Sequence, residues 1–249
     1  MATSLHALIG DLPHRDDLDR DAGWEGIVSI LIAEHRCLHI LLDTLADETA
    51  KLQPGRIPDY HLLADIVDYL IYYPDRYHHT RENLLFDHLR REHPRFKRQL
   101  NRLVSDHQAL SGVSKDLYVE LRHIRDGRRA NRPELAALLE RFIDGYRKHL
   151  HFETSDVFPL ATGEIGVEDW NQLKSRTRFV DDPLFGDDIQ LKYFRLQRAI
   201  QEGLNELVDH LPSSQRSALL RVADLTRSIL RRPQRWLHDL GEWKRSLLA

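Results

Sequence analysis

Apolar residues recur at alternating three- and four-residue intervals through the first two-thirds of the chain, the spacing of one buried face on an α-helix. The strict apolar–polar alternation typical of strands is nearly absent. Turn-forming stretches at Gln53 to Pro58, Arg91 to Arg95 and Arg125 to Pro133 separate four such segments, and the fourth is predicted to end around Pro159. Four long helices joined by short connections predict an all-α, up-down-up-down four-helix bundle.

The whole chain can be divided into regions by its composition. Three regions are predicted, namely a polar N-terminal arm at residues 1 to 22, the four-helix bundle at residues 23 to 170, and a C-terminal helical extension at residues 171 to 249. Within the extension, the stretch FVDDPLFGDD at residues 179 to 188 indicates a linker. Additional C-terminal helices are predicted at about residues 188 to 209 and 213 to 247.

Composition narrows the class of protein. The chain has 249 residues, 41% of them hydrophobic, which is enough for a sizeable core. Its formal net charge of -3 gives no sign of a nucleic-acid binder. A single cysteine, Cys37, cannot form an intramolecular disulfide and fits a reducing compartment. With neither a signal peptide nor a membrane-length apolar run, the sequence predicts a cytoplasmic protein.

On each predicted helix, the apolar residues at three- and four-residue intervals form a buried face, here called its seam. Each seam also contains residue types that bind metals. The first and third seams have one histidine each, and the second and fourth have a histidine followed by a glutamate four residues later. The six residues are His35, His78, Glu82, His107, His149 and Glu153. Because residues four apart lie on one face of a helix, each His-x-x-x-Glu pair can direct a nitrogen and an oxygen to the same side.

Each of these residues, taken singly, can be explained without a metal. A lone histidine in an apolar stripe is more often a hydrogen-bonded core residue, and a single His-x-x-x-Glu pair is more often a surface pair. Together, however, six buried polar groups would cost more than the ~5–15 kcal/mol of net stability that a domain has. A cation would compensate for them, and imidazole and carboxylate donors without thiolate suit iron, manganese or zinc.

At these positions the chain resembles the hemerythrin-like HHE cation-binding domains. The resemblance rests on four motifs in order: LIAEHRCLHILL around His35, YYPDRYHHTRENLLFDHL around His78, SDHQAL around His107, and YRKHLHFETSDVFPLA around His149. It covers about residues 24 to 170. It implies two non-haem iron ions with a bridging oxo or hydroxo group in the bundle core, and the six seam residues as their ligands.

The chain departs from the oxygen-carrying members of that family on the third helix. Those proteins have two histidines one turn apart there, whereas Leu103 and Ser111 flank His107 in this sequence. Either a nearby histidine, His39 or His79, replaces the missing nitrogen, or one metal keeps a position open to solvent or substrate. A metal with an open position does chemistry more readily than a saturated one.

Two functions follow from the resemblance and the departure. The first is a di-iron protein that binds or reacts with peroxide, nitric oxide or dioxygen in oxidative or nitrosative stress defence, with catalase-like or nitric-oxide-reducing activity. The alternative is an oxygen or iron sensing or storage module that signals through its C-terminal helices. Residues 213 to 249 carry a net charge of +5 with two tryptophans. This tail is expected either to contact a protein partner, a second copy or an anionic membrane surface, or to pack on the bundle.

Overall fold

The computed structural model describes residues 25–177, 182–185 and 189–209, and no strand occurs among them. The predicted all-α class is therefore confirmed for this part of the chain. The α-helices are α1 Glu25–Ala50, α2 Tyr60–Tyr73, α3 His79–Glu92, α4 Lys97–Arg125, α5 Arg132–Phe152, α6 Phe158–Glu164, α7 Val167–Arg176 and α8 Phe194–Asp209. Two wide π-helical turns, Pro74–His78 and Glu153–Val157, join α2 to α3 and α5 to α6. Short 3₁₀ turns are formed by Pro94–Phe96 and Leu191–Tyr193.

Residues Leu38–Gly163 form a compact helical unit. Helix α4 packs against both α2 and α5. The core of this unit is built mainly from leucines, and those at the predicted helical spacing include Leu42, Leu85, Leu103, Leu117 and Leu139. Each fully buried leucine contributes about 1.5–3 kcal/mol. Apolar burial therefore outweighs the cost of placing a few polar side chains among these residues, provided that those polar side chains are compensated.

The start of α2, the end of α4 and the start of α5 lie where the turn residues predicted them. The side chain of Asp59 caps α2, since its Oδ1 atom accepts hydrogen bonds from the backbone N–H groups of His61 and Leu62, each at 2.9 Å. Gly127, with φ at +99°, ends α4 in the left-handed conformation that favours glycine. Pro133 lies in the first turn of α5, where its missing N–H costs nothing.

The first loop is held by Arg132, at the start of α5. Its guanidinium donates hydrogen bonds to the carbonyl oxygens of Lys51 at 2.7 Å, Gln53 at 3.0 Å and Arg56 at 2.7 Å. Three backbone acceptors at the end of α1 and in the following loop are thereby satisfied by one side chain.

Two boundaries differ from the prediction. The fourth segment does not end around Pro159 but continues through α6 to Glu164. A proline is tolerated there because it lies in the first turn of α6, directly after a π-helical turn. Helix α8 begins at Phe194, about six residues later than predicted, and it follows a 3₁₀ turn. Helix α7 was not predicted as a separate helix.

A second compact unit consists of residues Met1–Cys37 and Glu164–Ala249. In its described part, the buried side chains include Trp170, Leu184 and Leu196. The Oδ1 atom of Asp182 accepts backbone N–H groups at 2.8 and 2.9 Å and so closes a short turn. Burial, followed by the charge of Asp182, raises the pKa of the Cys37 thiol well above its usual range.

Several predictions fall on residues outside the described ranges. These are the N-terminal arm at residues 1 to 22, most of the linker, and the helix predicted at residues 213 to 247. Among the helices that the structure does describe, none combines the length and the apolar character needed to cross a membrane.

Candidate metal centre

The first His-x-x-x-Glu pair lies at the junction of a π-helical turn and a regular helix. His78 is the last residue of the turn Pro74–His78, and Glu82 lies in the first turn of α3. The Nε2 atom of His78 is 3.0 Å from Oε1 of Glu82, and neither side chain is more than 1% exposed. The predicted pairing of a nitrogen and an oxygen on one helix face is therefore present.

Pro74 accounts for the wide turn before His78. Proline has no N–H group, so it cannot donate to the carbonyl of Leu70 four residues earlier. The Leu70 oxygen instead accepts a long hydrogen bond of 3.5 Å from the hydroxyl of Tyr146 on α5. The N–H of His79 reaches back five residues to the carbonyl of Pro74.

The second pair is built in the mirror order. His149 lies in the last turn of α5, and Glu153 is the first residue of the turn Glu153–Val157. Nε2 of His149 is 3.2 Å from Oε1 of Glu153, and again neither side chain is more than 1% exposed. The N–H of Phe158 donates back across five residues to the carbonyl of Glu153. No proline begins this turn.

His107 of α4 lies between the two pairs. Its Nε2 atom is 3.0 Å from Nε2 of His149, 4.0 Å from Oε2 of Glu82 and 3.9 Å from Oε1 of Glu153. Its side chain is 21% exposed, so this imidazole links the buried carboxylates to the surface. Gly145 of α5 approaches α4 closely, because a Cβ atom there would lie 3.1 Å from a methyl group of Leu110.

The two carboxylates repel each other in a dry environment. Burial raises the pKa of Glu153 well above its usual range, and the charge of Glu82, a hydrogen bond with Glu82 and the charge of Asp106 raise it further. Two adjacent carboxylates cannot both ionise cheaply without a compensating cation. The site therefore has the electrostatic character of a cation-binding centre.

The structure brings the potential ligand atoms into two groups. In the first, His35, His78, Glu82 and Glu153 each offer one ligand atom, and these atoms lie within 4.8 Å of one another. In the second, His79, His107 and His149 do the same. All six residues selected from the sequence fall into these groups. Of the two histidines left open, His79 is included and His39 belongs to neither group.

The donor set fits transition-metal ions. Within the described residues, the two groups contain only imidazole nitrogens and carboxylate oxygens, without a cysteine. Such donors suit iron, manganese and zinc rather than a thiolate-bound metal. Two carboxylates within reach of histidines from several helices can bridge two ions.

Comparison with known families agrees with this geometry. A family model described as the Hemerythrin HHE cation binding domain matches residues 26–161, more than half of the chain. No curated protein and no solved structure matches the chain.

Proposed function

Because the chain belongs to the hemerythrin HHE cation-binding domain family, we propose that it is a non-haem di-iron protein that reacts with peroxide, nitric oxide or dioxygen. The described helices would then form a bundle of up-down-up-down order around the two ions. The function proposed is defence against oxidative or nitrosative stress. The single observation that carries the proposal is the position of His107 between two buried His–Glu pairs.

The residues divide into bridging and terminal donors. Glu82 and Glu153 are the proposed bridging carboxylates, since each has a histidine within 3.2 Å on its own helical segment and His107 within 4.0 Å. The proposed terminal nitrogen donors are His35, His78, His107 and His149. Two iron ions bound here would supply redox chemistry toward small oxidants.

The protein side chains also set the proton balance. With its raised pKa, Glu153 favours the protonated form when no cation is near. A carboxylate must lose its proton to become a ligand, so loading the site is expected to release protons. The burial of both carboxylates keeps bulk water away from the atoms that would hold the ions.

Access from the surface beside α4 favours reaction over reversible oxygen carriage, and α4 itself supplies one histidine rather than two. Leu103 at the position one turn before His107 is fully buried and apolar, and Ser111 stands one turn after it. Small ligands can reach an ion beside His107, because the side chain of His107 is 21% exposed. The sensing or storage alternative rests on the C-terminal helices and stays a prediction, because most of that tail lies outside the described residues.

Anaerobic titration with iron(II) tests the proposal. We expect the wild type to saturate at about two equivalents, as a dinuclear bundle site requires. The double variant His78→Ala with His149→Ala should lose this binding. A matched control is His61→Ala with His123→Ala, which removes two exposed histidines and should bind as the wild type does.

The reactivity is tested on the loaded protein. Peroxide consumption above that of an equal amount of free iron supports the proposed chemistry. A loaded protein that cycles reversibly between deoxy and oxy spectra and leaves peroxide unchanged would replace the enzyme with an oxygen binder. Saturation at zero equivalents would refute the di-iron proposal itself.

A further inference from the structure

We propose that His79 binds the second metal ion and supplies the nitrogen that α4 lacks. This inference rests on the proposed di-iron function and assigns a ligand outside the six seam residues. It makes the ion near α4 a three-histidine position, held by His79, His107 and His149, with the bridging carboxylates behind it.

The positions of the rings carry the inference. The centroid of the His79 ring is 4.2 Å from that of His107 and 6.3 Å from that of His149. The rings of His107 and His149 are 4.5 Å apart and tilted by 64°. The three residues offer ligand atoms within 4.8 Å of one another. Three imidazoles converging from α3, α4 and α5 are an arrangement that a single ion can fill.

The distance between two of the nitrogens fits a shared ion. The Nε2 atoms of His107 and His149 are 3.0 Å apart. Two nitrogens that bind one metal at ~2.0–2.1 Å and at right angles to each other lie ~2.9 Å apart. The same distance suits a hydrogen bond between two neutral imidazoles, so the rings are already at the spacing that a metal would require.

The π-helical turn explains how adjacent residues serve two groups. Consecutive residues of an α-helix point roughly 100° apart. In the turn Pro74–His78, the backbone hydrogen bonds span five residues, and each residue turns less about the axis. The rings of His78 and His79 are 5.6 Å apart and tilted by 55°. His78 faces Glu82 in the first group, and His79 faces His107 in the second.

Exposure separates the two groups further. His35, His78, Glu82 and Glu153 are all buried, whereas in the second group only His149 is buried and both His79 and His107 are half-buried. A ligand loss at His79 should therefore affect the more accessible ion and leave the buried one in place. This expectation separates a ligand from a residue that only supports the fold.

The experiment compares single histidine variants by anaerobic iron(II) titration, with visible spectra of the cobalt(II)-loaded proteins as a second readout. In His79→Ala, we expect the second equivalent to bind at least about tenfold more weakly, since even outer-shell changes cost 10–100-fold. The cobalt spectrum should change as well. The matched control is His39→Ala, which removes a half-buried histidine outside both groups and should leave both readouts unchanged.

A rescue variant guards against an unrelated folding defect. In His79→Ala with Ser111→His, an imidazole one turn after His107 should restore tight binding of the second equivalent. Far-UV circular dichroism confirms that each variant is helical. If the wild type binds about two equivalents and His79→Ala binds them with equal affinity and an unchanged spectrum, this inference is wrong while the di-iron proposal stands. A wild type that binds no iron removes both.

Discussion

The two His-x-x-x-Glu pairs of the bundle have the same spacing but lie on opposite sides of their π-helical turns. In the first, the turn comes before the pair and contains the histidine, His78. In the second, the turn follows and contains the glutamate, Glu153. The nitrogen–oxygen distances are nevertheless similar, at 3.0 and 3.2 Å. The pair is thus set by regular helical spacing, while the wide turn adjusts what surrounds it.

The origin of each turn differs as well. Pro74 begins the first turn and removes a backbone donor, so a single residue explains the local geometry. The second turn ends before Pro159, and no residue within ETSDV lacks an N–H group. Wide turns in α-helices occur frequently at functional sites. In this protein, both of them adjoin the proposed bridging carboxylates.

Metal removal is expected to have the largest effect, because the proposed centre would join the two pairs. Stripping iron with a chelator should lower the melting temperature by roughly 5–10 °C, since a ligand at 100 times its Kd contributes about 2.7 kcal/mol. Differential scanning calorimetry of loaded and stripped protein measures this shift. Equal midpoints would mean that the polar seam residues satisfy one another without a cation.

Pro74→Ala should affect the first π-helical turn and leave the second unchanged, because only the first begins at a proline. The new backbone N–H at position 74 lets the helix close regular bonds, which should shift the His78–Glu82 pair relative to His107. Iron affinity should fall about tenfold, equivalent to about 1.4 kcal/mol. Pro159→Ala is the matched control, because Pro159 is exposed and lies beyond the second turn, and it should bind iron normally. Unchanged affinity in Pro74→Ala would show that proline does not set the position of His78.

Tyr146→Phe should have the smallest effect. It tests the hydrogen bond that the Tyr146 hydroxyl makes beside the first π-helical turn. This hydroxyl donates to the Leu70 oxygen, to which Pro74 cannot donate because it has no N–H. Losing this long hydrogen bond should cost about 0.5–1 kcal/mol in the metal-free protein. In a Pro74→Ala background the cost should vanish, since the restored backbone N–H replaces the hydroxyl. Urea unfolding of the four proteins measures the coupling, and additive costs would contradict it.

Much of the fold could be predicted because helical periodicity is a strong signal. The seam leucines and the turn residues defined the long helices, and the family resemblance is confirmed by the family match. The six seam residues were selected because polar groups interrupt an otherwise apolar face. Their proximity in space agrees with that selection, while their role as ligands remains a proposal.

The π-helical turns and the direction of the His79 side chain could not be predicted, because they depend on the exact backbone geometry. A π-helical turn changes which way the next residues point, yet it leaves the apolar spacing almost unaltered. The turn at Glu153 contains no proline from which it could be predicted. For the same reason the sequence could not choose between His39 and His79, because the direction of His79 depends on the geometry of the preceding turn.

The half-buried imidazoles of His79 and His107 are the donors of the site that lie nearest the surface. From that side, imidazole nitrogens precede the fully buried carboxylate oxygens of Glu82 and Glu153. Magnesium and calcium prefer oxygen, and magnesium gives up its water reluctantly. Ions that accept imidazole, such as iron and zinc, exchange water for nitrogen at the first step. We therefore expect the order of donors along this path to act as a kinetic filter against the abundant hard cations of a cell.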